Sequence, residues 1–139
     1  MKRAAYITMA AVAVVLMSLV PAYAQKASAT VNIPFTFTVD DVRMPAGQYI
    51  ITEPSEKVIE IQHLGGHEAK AVVTNQGAST DWTSHPRLVF HRYGNAYFLA
   101  AVWMPSSDHA REFFASANEI QVARNGGQDV IELALLVKK

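Results

Sequence analysis

The sequence predicts a mainly β fold: a small antiparallel β-sandwich or partly open barrel of about seven strands, with one short helix near the C-terminus. Three observations carry that expectation. Val31, Ile33, Phe35, Phe37 and Val39 alternate with polar Asn32, Thr36 and Thr38, the period-two pattern of a strand with one face in a core and one in water. Gly65-Gly66 and Gly94-Asn95 each separate two strand-like runs, as two-residue hairpin loops do. Residues 96–104 are almost continuously apolar, which suits a strand buried on both faces near the middle of its sheet.

The chain opens with a different kind of segment. Lys2 and Arg3 precede an apolar run, and Pro21-Ala22-Tyr23-Ala24 leads to Gln25. A charged start, an apolar stretch and an A-x-A site have the layout of a secretory signal peptide, with cleavage expected between Ala24 and Gln25. Residues 1–24 are therefore read as the signal peptide and 25–139 as a single β-rich domain, secreted or periplasmic.

Within that domain the first strand spans 31–39. Pro34 has no amide hydrogen to give a ladder, which places the strand at an edge or its Pro34 position on an unpaired side. Asp40-Asp41 ends it, and Pro45-Ala46-Gly47 forms a turn. A second strand covers 48–53 and stops at Pro54-Ser55-Glu56. Residues 57–64 and 67–75 form the first hairpin, with Leu64 opposite His67 and His63 opposite Glu68. Residues 76–86 read as irregular. The second hairpin pairs 87–93 with 96–104, so that Arg92 faces Tyr97, His91 faces Phe98 and Phe90 faces Leu99. Leu88, Phe90, Leu99, Ala101 and Trp103 then make its core face. Arg92 over Tyr97 is expected as a cation–π pair.

A loop at 105–108 precedes a short strand over 111–114. Ser116-x-x-Glu119 has the spacing of a capping box, and apolar residues recur at helical spacing. This predicts a helix over 117–125. The alternative is a hairpin strand over 119–124 turning at Asn125-Gly126. Residues 130–137 form the last strand.

Composition excludes several classes. Half of the residues are hydrophobic, too many for intrinsic disorder. Beyond residue 24 the chain carries ten basic residues, the twelve of the whole chain less Lys2 and Arg3, against twelve acidic ones. That balance gives no basic footprint for nucleic acid and no polybasic membrane anchor. Cysteine is absent, so disulfides, thiolate zinc sites and lipid attachment at a cleavage-site cysteine are excluded.

Chemistry-bearing motifs are few. Of the five histidines, His63 and His67 point to opposite faces of their hairpin, and His85 stands roughly 20 Å of strand from His91. No metal site is expected. Asp108-His109 and Ser106-Ser107 are neighbours in sequence without a G-x-S-x-G elbow. Asp40-Asp41 reads as a solvated strand terminus, and no phosphate-binding glycine loop occurs. No catalytic or cofactor-binding residue is assigned, and no cofactor is expected. The outward face of the second hairpin, with Arg87, Val89, His91, Tyr93, Phe98 and Val102, mixes aromatic and polar groups in a way that suits a binding groove. The polar face of strand 31–39 carries no Lys or Arg, so charge does not protect its edge against strand addition. Asn32, Thr36, Thr38, Arg87, His91, Tyr93 and Phe98 together form the candidate interaction surface.

The segments Asn32-Ile33-Pro34-Phe35-Thr36-Phe37, Met44-Pro45-Ala46-Gly47-Gln48-Tyr49 and Arg87-Leu88-Val89-Phe90-His91-Arg92-Tyr93-Gly94, with Tyr97-Phe98-Leu99 and Trp103, resemble a family of small secreted β-rich proteins of unknown function common in Acidobacteria-type soil bacteria. The resemblance spans most of 25–139. It implies export and carries no catalytic residues. The chain departs after Arg111-Glu112, where the family has Leu-Pro and this chain has Phe113-Phe114.

These readings lead to an exported non-enzymatic β-domain, an envelope or extracellular structural or interaction module. Its expected partners are a second copy or an envelope protein, with no nucleic acid and no stable membrane anchor after signal cleavage. A periplasmic binder of a small apolar ligand is the alternative, and a hydrolase comes third.

Overall fold

A computed structural model describes residues 27–79, 85–105 and 107–137. The predicted signal peptide and its cleavage point lie outside the described residues. The fold class is the one the sequence predicts: two open β-sheets face each other, with one short helix near the C-terminus.

The strands in chain order are β1 (Ser28–Ile33), β2 (Phe37–Val39), β3 (Val42–Met44), β4 (Gly47–Ser55), β5 (Val58–His63) and β6 (Ala69–Val73). They continue as β7 (Asn75–Ser79), β8 (Arg87–Tyr93), β9 (Ala96–Trp103) and β10 (His109–Glu112). Helix α1 (Ala117–Ala123) precedes β11 (Asp129–Ala134) and β12 (Leu136–Val137). The first sheet has the order β12-β1-β4-β5-β6 and the second β11-β8-β9-β10-β7. All of these neighbours are antiparallel. The hairpin β2–β3 joins the second sheet through a parallel bridge between Thr38 and Phe98, beside β10 on the same side of β9.

Three strands expected to be continuous are split, each where the chain passes from one sheet to the other. The run 31–39 keeps its inward alternation, with Val31, Ile33, Phe37 and Val39 all 4% exposed or less, but its first part lies in the first sheet and its last part in the second. The crossing falls on Pro34-Phe35-Thr36, where a missing amide hydrogen leaves no ladder bond unmade. Thr38 is therefore not on an edge: β2 lies between β3 and β9. Asp40 and Asp41, at φ 46° and 64°, form the two-residue loop of the β2–β3 hairpin. Positive φ at both positions matches the twist of paired strands.

The second crossing is Thr74, between β6 and β7. Its amide and its hydroxyl both donate to the Lys57 carbonyl, at 2.6 and 3.1 Å, which satisfies a buried polar residue. Residues 75–79, read partly as irregular, are thus the edge strand β7. The third crossing is Leu135, whose amide donates to the Pro86 carbonyl at 2.9 Å. It divides the expected last strand into β11 in one sheet and β12 in the other.

The first hairpin keeps its predicted register, since the His63 amide donates to the Glu68 carbonyl at 2.8 Å. Its loop is longer than two residues because the Leu64 amide turns away to the Gln48 carbonyl on β4, also at 2.8 Å. Gly47 sits beneath this corner at φ 152°, where an added Cβ would come within 2.4 Å of His63 Nε2.

Between the sheets, Ile33, Tyr49, Ile51, Ile59 and Ile61 meet Phe37, Leu88, Phe90 and Val102, all 1% exposed or less. Phe37 packs edge-to-face on Tyr49 at 5.3 Å and on Phe90 at 5.5 Å, the arrangement that aromatic quadrupoles favour. Arg111 on β10 donates to Glu53 on β4 at 2.7 Å and ties the two sheets together at the margin of this core.

Candidate functional site

The second hairpin positions the site, and one irregularity in it decides which residues face outward. Tyr93 to Phe90 pair with Ala96 to Leu99 as predicted, but Val89 then pairs with Ala101, leaving Ala100 without a partner. Such a bulge shifts the alternation of one strand by one residue. Val102 consequently turns inward opposite Leu88, while Ala101 and Trp103 turn outward with Val89 and Arg87. This corrects three assignments, that of Ala101, which was expected on the core face and turns outward, among them. Val102, expected outside, is in the core, and Trp103, expected in the core, is buried on the outer face beneath Arg87, whose guanidinium carbon lies 4.8 Å from the ring centroid. The cation–π pair is thus Arg87 with Trp103. Arg92 instead donates to Asp129 at 2.7 Å, and Tyr97 stacks on Phe35 at 3.9 Å between centroids. The hydrogen bond to Asp129 raises the Arg92 pKa further. Arg87 Nε lies 3.5 Å from Glu132 Oε1, close enough for an ion pair but without hydrogen-bond geometry.

The chain of the second sheet then covers part of its own outer face with α1. The helix begins as the sequence predicts: Ser116 Oγ accepts from the Glu119 amide at 3.2 Å, a side-chain N-cap. In a full capping box the glutamate reaches back to the cap amide. Here Glu119 turns inward instead. It is the buried residue of α1, and its Oε1 lies 3.1 Å from His91 Nδ1 and 3.4 Å from Tyr93 Oη. Tyr93 Oη is also 3.4 Å from Gln128 Oε1, so its single proton serves either acceptor. Burial, and secondarily the Glu119 charge, holds the Tyr93 phenol above its ordinary pKa. A neutral phenol is a donor, which suits the carboxylate beside it.

Two concavities flank the helix and share Tyr93. The larger is a groove of about 550 Å³. Thr36, Thr38 and Arg43 line it from the β2 side, Phe98 and Asn95 from the β8–β9 hairpin, and Asn118 from α1. Phe98, 3% exposed, makes an apolar floor, and the rim residues Arg43, Asn95 and Asn118 are exposed. The smaller pocket, about 180 Å³, lies between the helix and the sheet. His91, Tyr93, Glu119 and Gln128 contribute its polar groups, and Ala100, Phe113 and Ile120 are among its apolar walls.

Of the predicted surface residues, Thr36, Thr38, Tyr93 and Phe98 meet in the groove, and His91 lies next door. The parallel bridge from Thr38 to Phe98 is what brings the two predicted halves together. Asn32, opposite Gln48 in the first sheet, and Arg87, at the far end of β8, stand apart from it. The sequence reading missed Arg43, Asn118 and the inward role of Glu119. The capping-box spacing was the visible signal for Glu119, but nothing in that spacing says which way the carboxylate turns.

Other polar groups make local pairs. His63 Nδ1 lies 2.9 Å from Glu68 and His109 Nδ1 2.6 Å from Asp108. Each contact lowers the carboxylate's pKa through the hydrogen bond first. Ser107 Oγ donates to the His109 carbonyl at 2.9 Å, so its proton goes to the backbone and not to an imidazole. Among the described residues no group of three or more His, Asp or Glu is placed to hold a metal ion, and no helix is long and apolar enough to cross a membrane. The chain matches no family model, no curated protein and no solved structure.

Proposed function

We propose that the protein is an exported, non-enzymatic β-sandwich that works by contact, as an envelope or extracellular interaction module. Its partner docks in the groove between the β2–β3 hairpin and α1. The observation that carries this reading is the groove itself: an apolar floor at Phe98, with exposed amide and guanidinium groups at Asn95, Asn118 and Arg43 around it. An apolar centre with a polar rim is the usual anatomy of a recognition surface. Export rests on the signal-peptide layout of residues 1–24, and the resemblance to small secreted β-rich proteins points the same way. The partner is an envelope protein or a second copy of this chain.

The test is native mass spectrometry of protein purified from its own host, comparing wild type with Asn118→Trp. That substitution puts a large ring into the groove from an exposed helix position. Wild type is expected to start at Gln25 and to retain a partner that the variant has lost. A wild type that is monomeric and unliganded at high concentration would remove the contact reading.

A further inference from the structure

The pocket beneath α1 is a second site, distinct from the groove. Its unusual element is Glu119, whose side chain is only 9% exposed. A helix laid on an apolar sheet normally docks through its hydrophobic stripe. Here Ile120 is 48% exposed while the carboxylate points inward. Among the described residues the hydrogen bonds to that carboxylate, from His91 and Tyr93, both fall on Oε1. Among the described residues Oε2 accepts no hydrogen bond, and Arg and Lys take no part in the ion pairing of the carboxylate, which is with His91. Oε2 is not among the fully buried unpaired side-chain atoms of the described residues, so it keeps access to solvent, and a ligand can replace that water. Glu119 lines a pocket of about 180 Å³, with Phe113, Ala100 and Ile120 as apolar walls.

The geometry points to a binding site for a small primary amine carrying one compact apolar group. The ammonium donates to Oε2 in place of water, in a charge-assisted hydrogen bond. Phe113 and Tyr93 also line the pocket, and a ring that turns its face to the ammonium adds a cation–π attraction. Size sets the rest of the ligand. A dry cavity of about 150 Å³ holds one benzene ring, so this pocket takes a single ring or a short alkyl chain and excludes a peptide. A carboxylate or phosphate ligand is repelled by Glu119.

The probe is benzylamine, with benzyl alcohol as its neutral counterpart, titrated into the purified protein and followed by NMR at the ring signals of His91 and Tyr93. Benzylamine is expected to shift them saturably, and benzyl alcohol to bind at least about tenfold more weakly. Glu119→Gln keeps the backbone amide that Ser116 caps and removes the charge. It should erase the preference for the amine. Ala123→Phe, at an exposed helix position on the pocket wall, should block both probes while the amide signals of β8 and β9 stay in place. Equal binding of amine and alcohol, or an amine preference that survives Glu119→Gln, overturns the assignment. So does the absence of any saturable shift in the folded wild type. The Asn118→Trp variant, which fills the groove, should leave the benzylamine response intact, so the two sites fail separately.

Discussion

The two faces of the β8–β9 hairpin are built from neighbouring residues and do opposite things. On the inner face, Leu88, Phe90, Leu99 and Val102 are 3% exposed or less and belong to one apolar cluster with the first sheet. On the outer face, His91, Tyr93 and Trp103 are half-buried or buried as well, yet each meets a polar group: Glu119 from the helix for His91 and Tyr93, and Arg87 from the strand itself for Trp103. Burial alone therefore does not separate scaffold from site in this molecule. The chemistry of the covering group does. An apolar cover needs no partner, whereas a buried carboxylate needs donors, which His91 and Tyr93 supply here.

The comparison breaks most visibly at Phe90. Phe90→Ala removes a ring that touches both Phe35 and Phe37 and should destabilise the fold by about 3–5 kcal/mol, read by urea unfolding. A loss near zero would mean that the inner face is not a packed core.

Tyr49 tests how closed that core is through pH. Burial first, then the Glu68 charge, pushes its phenol up to about 12 from the ordinary 10.0. The folded state then keeps a proton that the unfolded chain releases, so the stabilisation is complete below pH 10 and is lost as pH rises through about 12. The thermal midpoint of wild type should fall more steeply over that window than that of Tyr49→Phe. Parallel curves would place Tyr49 in contact with solvent.

Trp103→Ala should cost less than Phe90→Ala, about 1–3 kcal/mol, because its ring lies on the outer face, beneath Arg87 and outside the apolar cluster between the sheets. Equilibrium unfolding of the two variants side by side gives the ranking. A Trp103 loss as large as that at Phe90 would restore it to the core.

The smallest effect belongs to the groove. Asn118→Trp should change stability by no more than about 0.5 kcal/mol while abolishing partner retention. A large loss of stability there would show that the groove is part of the scaffold.

Much of this was legible in the residues. The inward set Val31, Ile33, Phe37, Val39, Leu88, Phe90 and Leu99 follows from alternation, because a strand places successive side chains on opposite faces whatever sheet it joins. The Gly94-Asn95 loop and the Ser116 cap follow from local backbone needs, and both stand where the spacing puts them. Which sheet a strand joins is a different matter. Residues 31–39 read as one strand because alternation is blind to a crossing at Pro34, and the splits at Thr74 and Leu135 are hidden for the same reason. The extra residue at Ala100 leaves no trace in an apolar run, yet it exchanges the faces of Val102 and Trp103. The inward turn of Glu119 depends on His91 and Tyr93, which are 28 and 26 residues away in sequence. Local sequence by itself determined the alternation of faces within each unbroken strand and the Gly94-Asn95 turn, since those are set by dihedral preference and period. Tertiary structure alone decided sheet membership, the bulge and the buried carboxylate, because each is settled by a partner distant along the chain.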